Sequence, residues 1–224
     1  MMRPEKDKIS AFLDRTLLND FLSVGGDFRF MVLTEEERDK NPIYFPMQAD
    51  LYFGADLLRH LNVFTQFGMQ RGGNPTVREA GAILGYFPFN SYCKIGKFVP
   101  PYGHRFEDHT AFIRSEIDFD HSKPETYVTG VEVGSEPLLL FWNLSAYNAD
   151  ATPSQNSEET TARGYSATAG WRGLWLHLGA SAINNQKNDI GVDSTTDRTA
   201  YGVFGAIRLK KLIYLFEFDR RKDE

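Results

Sequence analysis

The chain has 224 residues, 42% hydrophobic, 14% aromatic and 25% charged, with 25 Lys+Arg against 30 Asp+Glu and a formal net charge of -5. That length points to one domain, the absence of a basic block argues against nucleic acid as a partner, and the single Cys excludes an intrachain disulfide, a Cys-based zinc site and an iron–sulfur cluster. No apolar run reaches the roughly 18 residues of a helical membrane span, but a membrane β-barrel stays open, because its lipid-facing residues occupy only every second position.

In chain order, the start Met1-Met2-Arg3-Pro4-Glu5-Lys6-Asp7-Lys8 is charged and leads into no apolar export signal, so the chain reads as a processed or incomplete version of a secreted one. Residues 1–20 are expected to form an N-terminal segment, either a short helix from the weak spacing of Ile9, Phe12, Leu13, Thr16 and Leu17 or an additional strand. From residue 21 onward a β-barrel domain is expected. In 22–32, Leu22, Val24, Phe28, Phe30 and Val32 alternate with Ser23, Asp27 and Arg29, one apolar and one polar face of a strand. In 48–57, Ala49, Leu51, Phe53, Ala55 and Leu57 alternate with Gln48, Asp50, Tyr52 and Asp56. The same rule places further strands at about 61–71, 77–87, 92–100, 125–134, 138–148, 161–171, 174–185, 199–209 and 212–220. Roughly eleven strands of about ten residues have the length a tilted strand needs to cross a bilayer.

The connections alternate in length. Leu58-Arg59-His60, Phe87-Pro88-Phe89-Asn90, Gly134-Ser135-Glu136-Pro137, Arg172-Gly173 and Lys210-Lys211 are tight turns. Segments 34–47, 72–76, 101–124, 149–160 and 186–198 are longer and mostly polar. Short turns at one end and long loops at the other define an all-β, antiparallel up-and-down transmembrane barrel with periplasmic turns and extracellular loops. Aromatic residues near the predicted strand ends (Tyr86, Phe87, Phe89, Tyr92, Tyr127, Trp142, Tyr147, Tyr165, Trp171, Trp175, Tyr201 and Tyr214) read as two interfacial girdles.

With the apolar face toward lipid, the lumen receives Asp27, Arg29, Asp50, Asp56, Glu79, Lys94, Glu132, His177, Arg208 and Glu217. It also receives neutral polar residues such as Gln48, Asn143, Ser145, Ser166, Thr168 and Ser181. A charged interior requires water, so a wet pore is expected, with a slight acidic lean that favours cations. Lys97 falls on the lipid-facing phase, where it either snorkels at a strand end or marks a bulge. Cys93 shares that phase as a small packing residue.

The longest loop, 101–124, opens from Lys94-Ile95-Gly96-Lys97-Phe98-Val99-Pro100-Pro101-Tyr102-Gly103. This stretch resembles the "G-x-F-x-P-P-[FY]-G" strand end of phosphate-selective porins and their relatives in the outer-membrane porin superfamily. The motif covers about residues 92–114, and the strand rhythm extends the likeness along nearly the whole chain. The resemblance implies that the third loop folds inward and narrows the pore. Arg105, Glu107, Asp108, His109, Arg114 and Glu116 are then the expected constriction residues, since fixed charges act strongly in a narrow section with low-dielectric walls. The alternative for these six is an ordinary solvated loop. A lysine ladder for phosphate is missing from the inward positions, and the terminal aromatic strand that usually closes such barrels is absent.

The class so described is a Gram-negative outer-membrane porin, a channel for passive transport of small polar solutes or ions. Its partners are the lipid bilayer and those solutes, with a homotrimer left open and no cofactor or metal expected. Asp108-His109 is no dyad, because neighbours on an extended chain point to opposite sides, so no enzyme activity is expected. The rivals are a barrel serving as a sheath for a partner such as a cytochrome conduit, a soluble β-barrel or sandwich binding protein, and a barrel enzyme.

Overall fold

In the computed structural model, which describes residues 22–33, 43–70, 74–104, 126–149, 163–188 and 195–223, each alternating segment is a strand. These are β1 (Leu22–Leu33), β2 (Ile43–Leu58), β3 (Leu61–Gln70), β4 (Thr76–Phe87), β5 (Ser91–Phe98), β6 (Val128–Ser135), β7 (Leu140–Asn148), β8 (Arg163–Arg172), β9 (Leu176–Asn188), β10 (Thr195–Leu209) and β11 (Leu212–Asp223). A 3-10 turn, Pro88–Asn90, joins β4 to β5. Hydrogen bonding follows sequence order from β1 to β11, so the fold is an all-β, antiparallel up-and-down meander. Among the described residues no helix is long and apolar enough to cross a membrane. The N-terminal segment 1–20 lies outside the described residues.

Strand ends fall within a few residues of expectation, with two corrections. Residues 43–47 belong to β2 rather than to a loop. Within it, Pro46 sits opposite Phe30 at the point where the β1–β2 register shifts between Arg29 and Phe30. A bulge interrupts the ladder locally and lets an edge position lose its N–H donor. Strand β10 likewise extends back to Thr195, into a stretch read as loop.

The chain divides into two compact units, Met1–Ala80 and Gly81–Glu224. In the first, registers pair Asp27 with Asp50 and Asp50 with Gly68, which puts one polar face across β1, β2 and β3. The opposite face holds Phe28, Leu51 and Phe67, all exposed. In the second unit one face carries the buried Glu132, Ser145, Ser166, Thr168 and Ser181, and the other the exposed Val131, Leu144, Tyr165 and Val203. Glycine shapes this sheet where Tyr147 is flanked across the ladder by Gly130 and Gly164. A Cβ at either glycine would run into Tyr147, so the ring lies flat over bare backbone.

The short turns carry an apolar burden. Tyr86, Phe89, Asn90, Leu138 and Lys210 have φ between 52° and 63°, a left-handed conformation that costs a non-glycine residue roughly 1–2 kcal/mol. Three of the five are large and apolar, and Leu138 is 101% exposed.

Candidate functional site

The polar face of the first unit is a hydrogen-bonded cluster. Arg78 Nη1 lies 3.0 Å from Asp50 Oδ2 with both side chains buried, and Gln48 Nε2 donates to the same carboxylate oxygen. Gly68 provides the space, since a Cβ there would meet the Asp50 carboxylate and the Arg78 guanidinium. Nearby, Arg29 and Asp27 pair at 3.3 Å, and Asn62 donates to the exposed Asp56 at 2.8 Å. Glu79, expected in the lumen, follows Arg78 on one strand and so takes the opposite side; it is half-buried and its backbone carbonyl accepts the Thr65 hydroxyl at 3.3 Å.

In the second unit, Lys94 Nζ lies 3.0 Å from Glu132 Oε2 and 4.4 Å from the centre of the Phe98 ring. Tyr92 donates its hydroxyl to Glu132 Oε1 at 2.6 Å and lies 3.2 Å from Asn143 Oδ1. Ser145 and Ser166 share a hydrogen bond of 2.6 Å. Charges taken from water are costly unless paired and hydrogen-bonded. Lys94 and Glu132 meet that condition.

Beyond β5 the chain stays on this face. Phe98 through Tyr102 are all buried, and the segment 99–104 crosses four strands by hydrogen bonds. The Thr168 hydroxyl of β8 donates to the Pro101 carbonyl at 3.0 Å. Gly103 N–H donates to Ser181 Oγ of β9 at 2.8 Å. His104 Nε2 lies 3.0 Å from the Gly205 carbonyl of β10, which requires its proton on Nε2. On β11, Tyr102 donates to Asp219 Oδ1 at 2.9 Å and the His104 N–H to Glu217 Oε1 at 3.3 Å. Beneath lie Phe98, Val99, Tyr102, Tyr127, Val128, Tyr147, Ile183 and Ala200 as one buried apolar cluster. Next to it the His177 ring stands edge-on to Phe141 and Phe204, with ring centres 5.2 and 5.8 Å apart.

Of the residues the sequence assigns to the lumen, Asp50, Lys94 and Glu132 are buried in paired networks, and Glu217 holds the inward segment. His177 belongs to an aromatic cluster, and Arg208 is exposed near the β10–β11 turn. The six expected constriction residues, Arg105, Glu107, Asp108, His109, Arg114 and Glu116, lie outside the described residues. The girdle expectation needs correction at three positions. Tyr92 is a hydrogen-bonding residue of the polar face, and Tyr127 and Tyr147 are buried in the apolar cluster, whereas Tyr86, Phe89, Tyr165 and Trp175 are exposed. Arg78 adds a buried cation to the polar face that the sequence tally left out. Lys97 lies opposite Thr129 near the end of β5, in a β5–β6 ladder without a register shift.

Sequence reasoning also missed Tyr102, His104 and Asp219. Asp219 was within reach, two residues from Glu217 and therefore on the same face. Tyr102 and His104 stand in a loop, where no period assigns a side. Among the described residues no group of three or more His, Cys, Asp or Glu side chains is arranged to hold a metal ion.

No protein-family model matches this chain, and no curated protein matches it. The likeness to phosphate-selective porins thus has no family model behind it. Among solved structures, the chain is similar to OmpT, an outer membrane protein of Vibrio cholerae, folded in vitro and in trimer form. That match has 11% identity, covers 91% of this chain and 77% of that one, and has a TM-score of 0.44. OmpT with loop L8 deleted matches at 12% identity over 91% and 82% of the two chains with a TM-score of 0.43. The strand order and registers by themselves define the class of fold, an up-and-down antiparallel meander whose two faces differ sharply in polarity.

Proposed function

We propose that this chain is an outer-membrane β-barrel of a Gram-negative bacterium that passes small polar solutes or ions by diffusion, its lumen lined by the polar face. The observation that carries this reading is an inversion of ordinary burial. Leu144 is 51% exposed and Val203 52%, while Asp50 is 2% and Glu132 1% exposed. In water each such apolar side chain forfeits up to roughly 1.5–3 kcal/mol of burial, repeated over both units. In a bilayer the same face is solvated by lipid, and a barrel satisfies every backbone group internally.

The segment 99–104 supports a constricted pore over an open sheath for a partner protein, because it occupies the polar face and is tied there through four strands. A soluble binding protein would carry the opposite polarity. The charges within that face are mostly paired, which favours weak ion selectivity and gives phosphate no cationic ladder. The test is conductance of the full chain, refolded in detergent and inserted into a planar bilayer under a salt gradient. Stable unitary steps with a small reversal potential are expected. A chain that stays soluble without detergent and gives no steps would overturn the reading.

A further inference from the structure

Short turns are ordinarily polar and built on glycine, asparagine or proline; in the second unit they carry large apolar side chains instead. Phe89, Leu138, Leu174, Trp175 and Leu212 are all exposed on or beside the turns that join β4 to β5, β6 to β7, β8 to β9 and β10 to β11. Phe89, Leu138 and Lys210 also hold the left-handed conformation that suits glycine. Leu138 is fully exposed, so the chain's own packing gives that side chain nothing in return.

The four turns form one rim. The Glu136 N–H donates to the Phe89 carbonyl at 3.2 Å, the Arg172 N–H to the Leu139 carbonyl at 2.7 Å and the Arg208 N–H to the Trp175 carbonyl at 2.9 Å. Backbone bonds therefore run from each turn to the next. The rim continues the exposed apolar face above it, where Leu140 and Trp171 are neighbours across the β7–β8 ladder. Its charge is one-sided. Within 84–91, 134–141, 171–176 and 207–213 the residues of Asp, Glu, Lys and Arg type are Glu136, Arg172, Arg208, Lys210 and Lys211, all exposed. Glu136 is bonded to Arg172 at 3.3 Å. The turn end is thus basic in a chain whose net charge is -5.

We propose that this rim is a footing for the anionic phospholipid of the bilayer. Its leucine and aromatic side chains enter the acyl region just below the headgroups, and Arg208, Lys210 and Lys211 hold the lipid phosphates. The inference rests on the membrane reading above and adds that the turns lie in the lipid interface and select its anionic component. Tryptophan favours that interface, and long basic side chains reach from apolar surroundings back to the headgroups. A protein partner would need a surface that ends where the lipid-covered face begins, whereas a bilayer covers face and rim without a break. Each basic residue close to an anionic surface adds about fivefold to binding at low salt.

Trp175 sits on the rim, whereas Trp142 and Trp171 are exposed on the strands β7 and β8, so the two levels can be read apart. W142F/W171F leaves Trp175 to report on the rim, and W175F leaves Trp142 and Trp171 to report on the apolar face. Each full chain is reconstituted in phosphatidylcholine vesicles containing a minor fraction of acyl-brominated phosphatidylglycerol or, in parallel, acyl-brominated phosphatidylcholine. Tryptophan quenching is measured at low salt. Trp175 should be shielded from aqueous iodide and quenched by both lipids, about fivefold or more in favour of the anionic one. R208Q/K210Q/K211Q in the same background should abolish that preference and leave quenching by brominated phosphatidylcholine unchanged. Quenching of Trp142 and Trp171, with Trp175 quenched equally by the two lipids or open to iodide, would overturn the footing and leave the membrane reading standing. A preference that survives the triple variant would overturn the footing as well. No quenching by lipid in either tryptophan variant would overturn both readings.

Discussion

Buried charge on the polar face is held in place by partners, and the Lys94–Glu132 pair shows how much depends on them. Removing one member strands the other away from water, at a cost of about 3–5 kcal/mol. E132Q should therefore lower the denaturant midpoint of the detergent-folded chain substantially, and K94Q/E132Q should recover much of the loss. In channels that do fold, E132Q leaves Lys94 uncompensated, so the reversal potential should move toward anions. Tyr102 poses a smaller question of the same kind. Y102F removes one donor to Asp219, worth about 1–3 kcal/mol for a hydrogen bond to a charged acceptor, and should show as noisier single-channel current with little change in mean conductance. Such partners are hard to read from a sequence. Lys94 and Glu132 were both legible as inward by alternation, but their pairing depends on the β5–β6 register, and Arg78 was missed because the phase of its strand was read with Glu79 inward, whereas the pair with Asp50 puts Arg78 on the polar face and its neighbour Glu79 on the other.

At the scale of the strand, the period of two carried most of the fold. It failed where a local exception overrode it, as with Pro46 at the β1–β2 bulge and with aromatics such as Tyr147 that alternate inward onto glycines. Composition marks such a residue as a girdle candidate, and only the register shows which side it takes. Face assignment makes a sharp prediction. V203R puts a charge in the middle of the apolar face of β10 and should cost about 2–4 kcal/mol of folding stability in a bilayer, read as lost insertion into vesicles. The six loop positions from Arg105 to Glu116 carry no periodic signal at all, and their assignment rested on resemblance to a family motif.

At the scale of the molecule, apolar exposure among the described residues is greatest at the short turns, where Leu138, Phe89, Tyr86 and Leu174 are 101%, 75%, 81% and 85% exposed. A chain with this surface should precipitate when detergent is diluted below its micellar threshold and recover strand content by circular dichroism when detergent returns; an unchanged, soluble spectrum would contradict that expectation. Every hairpin of the meander joins strands adjacent in sequence, whereas the ties of the inward segment reach 67 residues to Thr168, 78 to Ser181 and 117 to Asp219. Loop-closure entropy sets the order of events: the hairpins zip locally, and the span from Pro101 to His104 can be fastened only after the last strand has arrived. A newly folded sheet would thus pass through a wider, unlatched form, and the narrowing of its interior would be the slow final step of assembly.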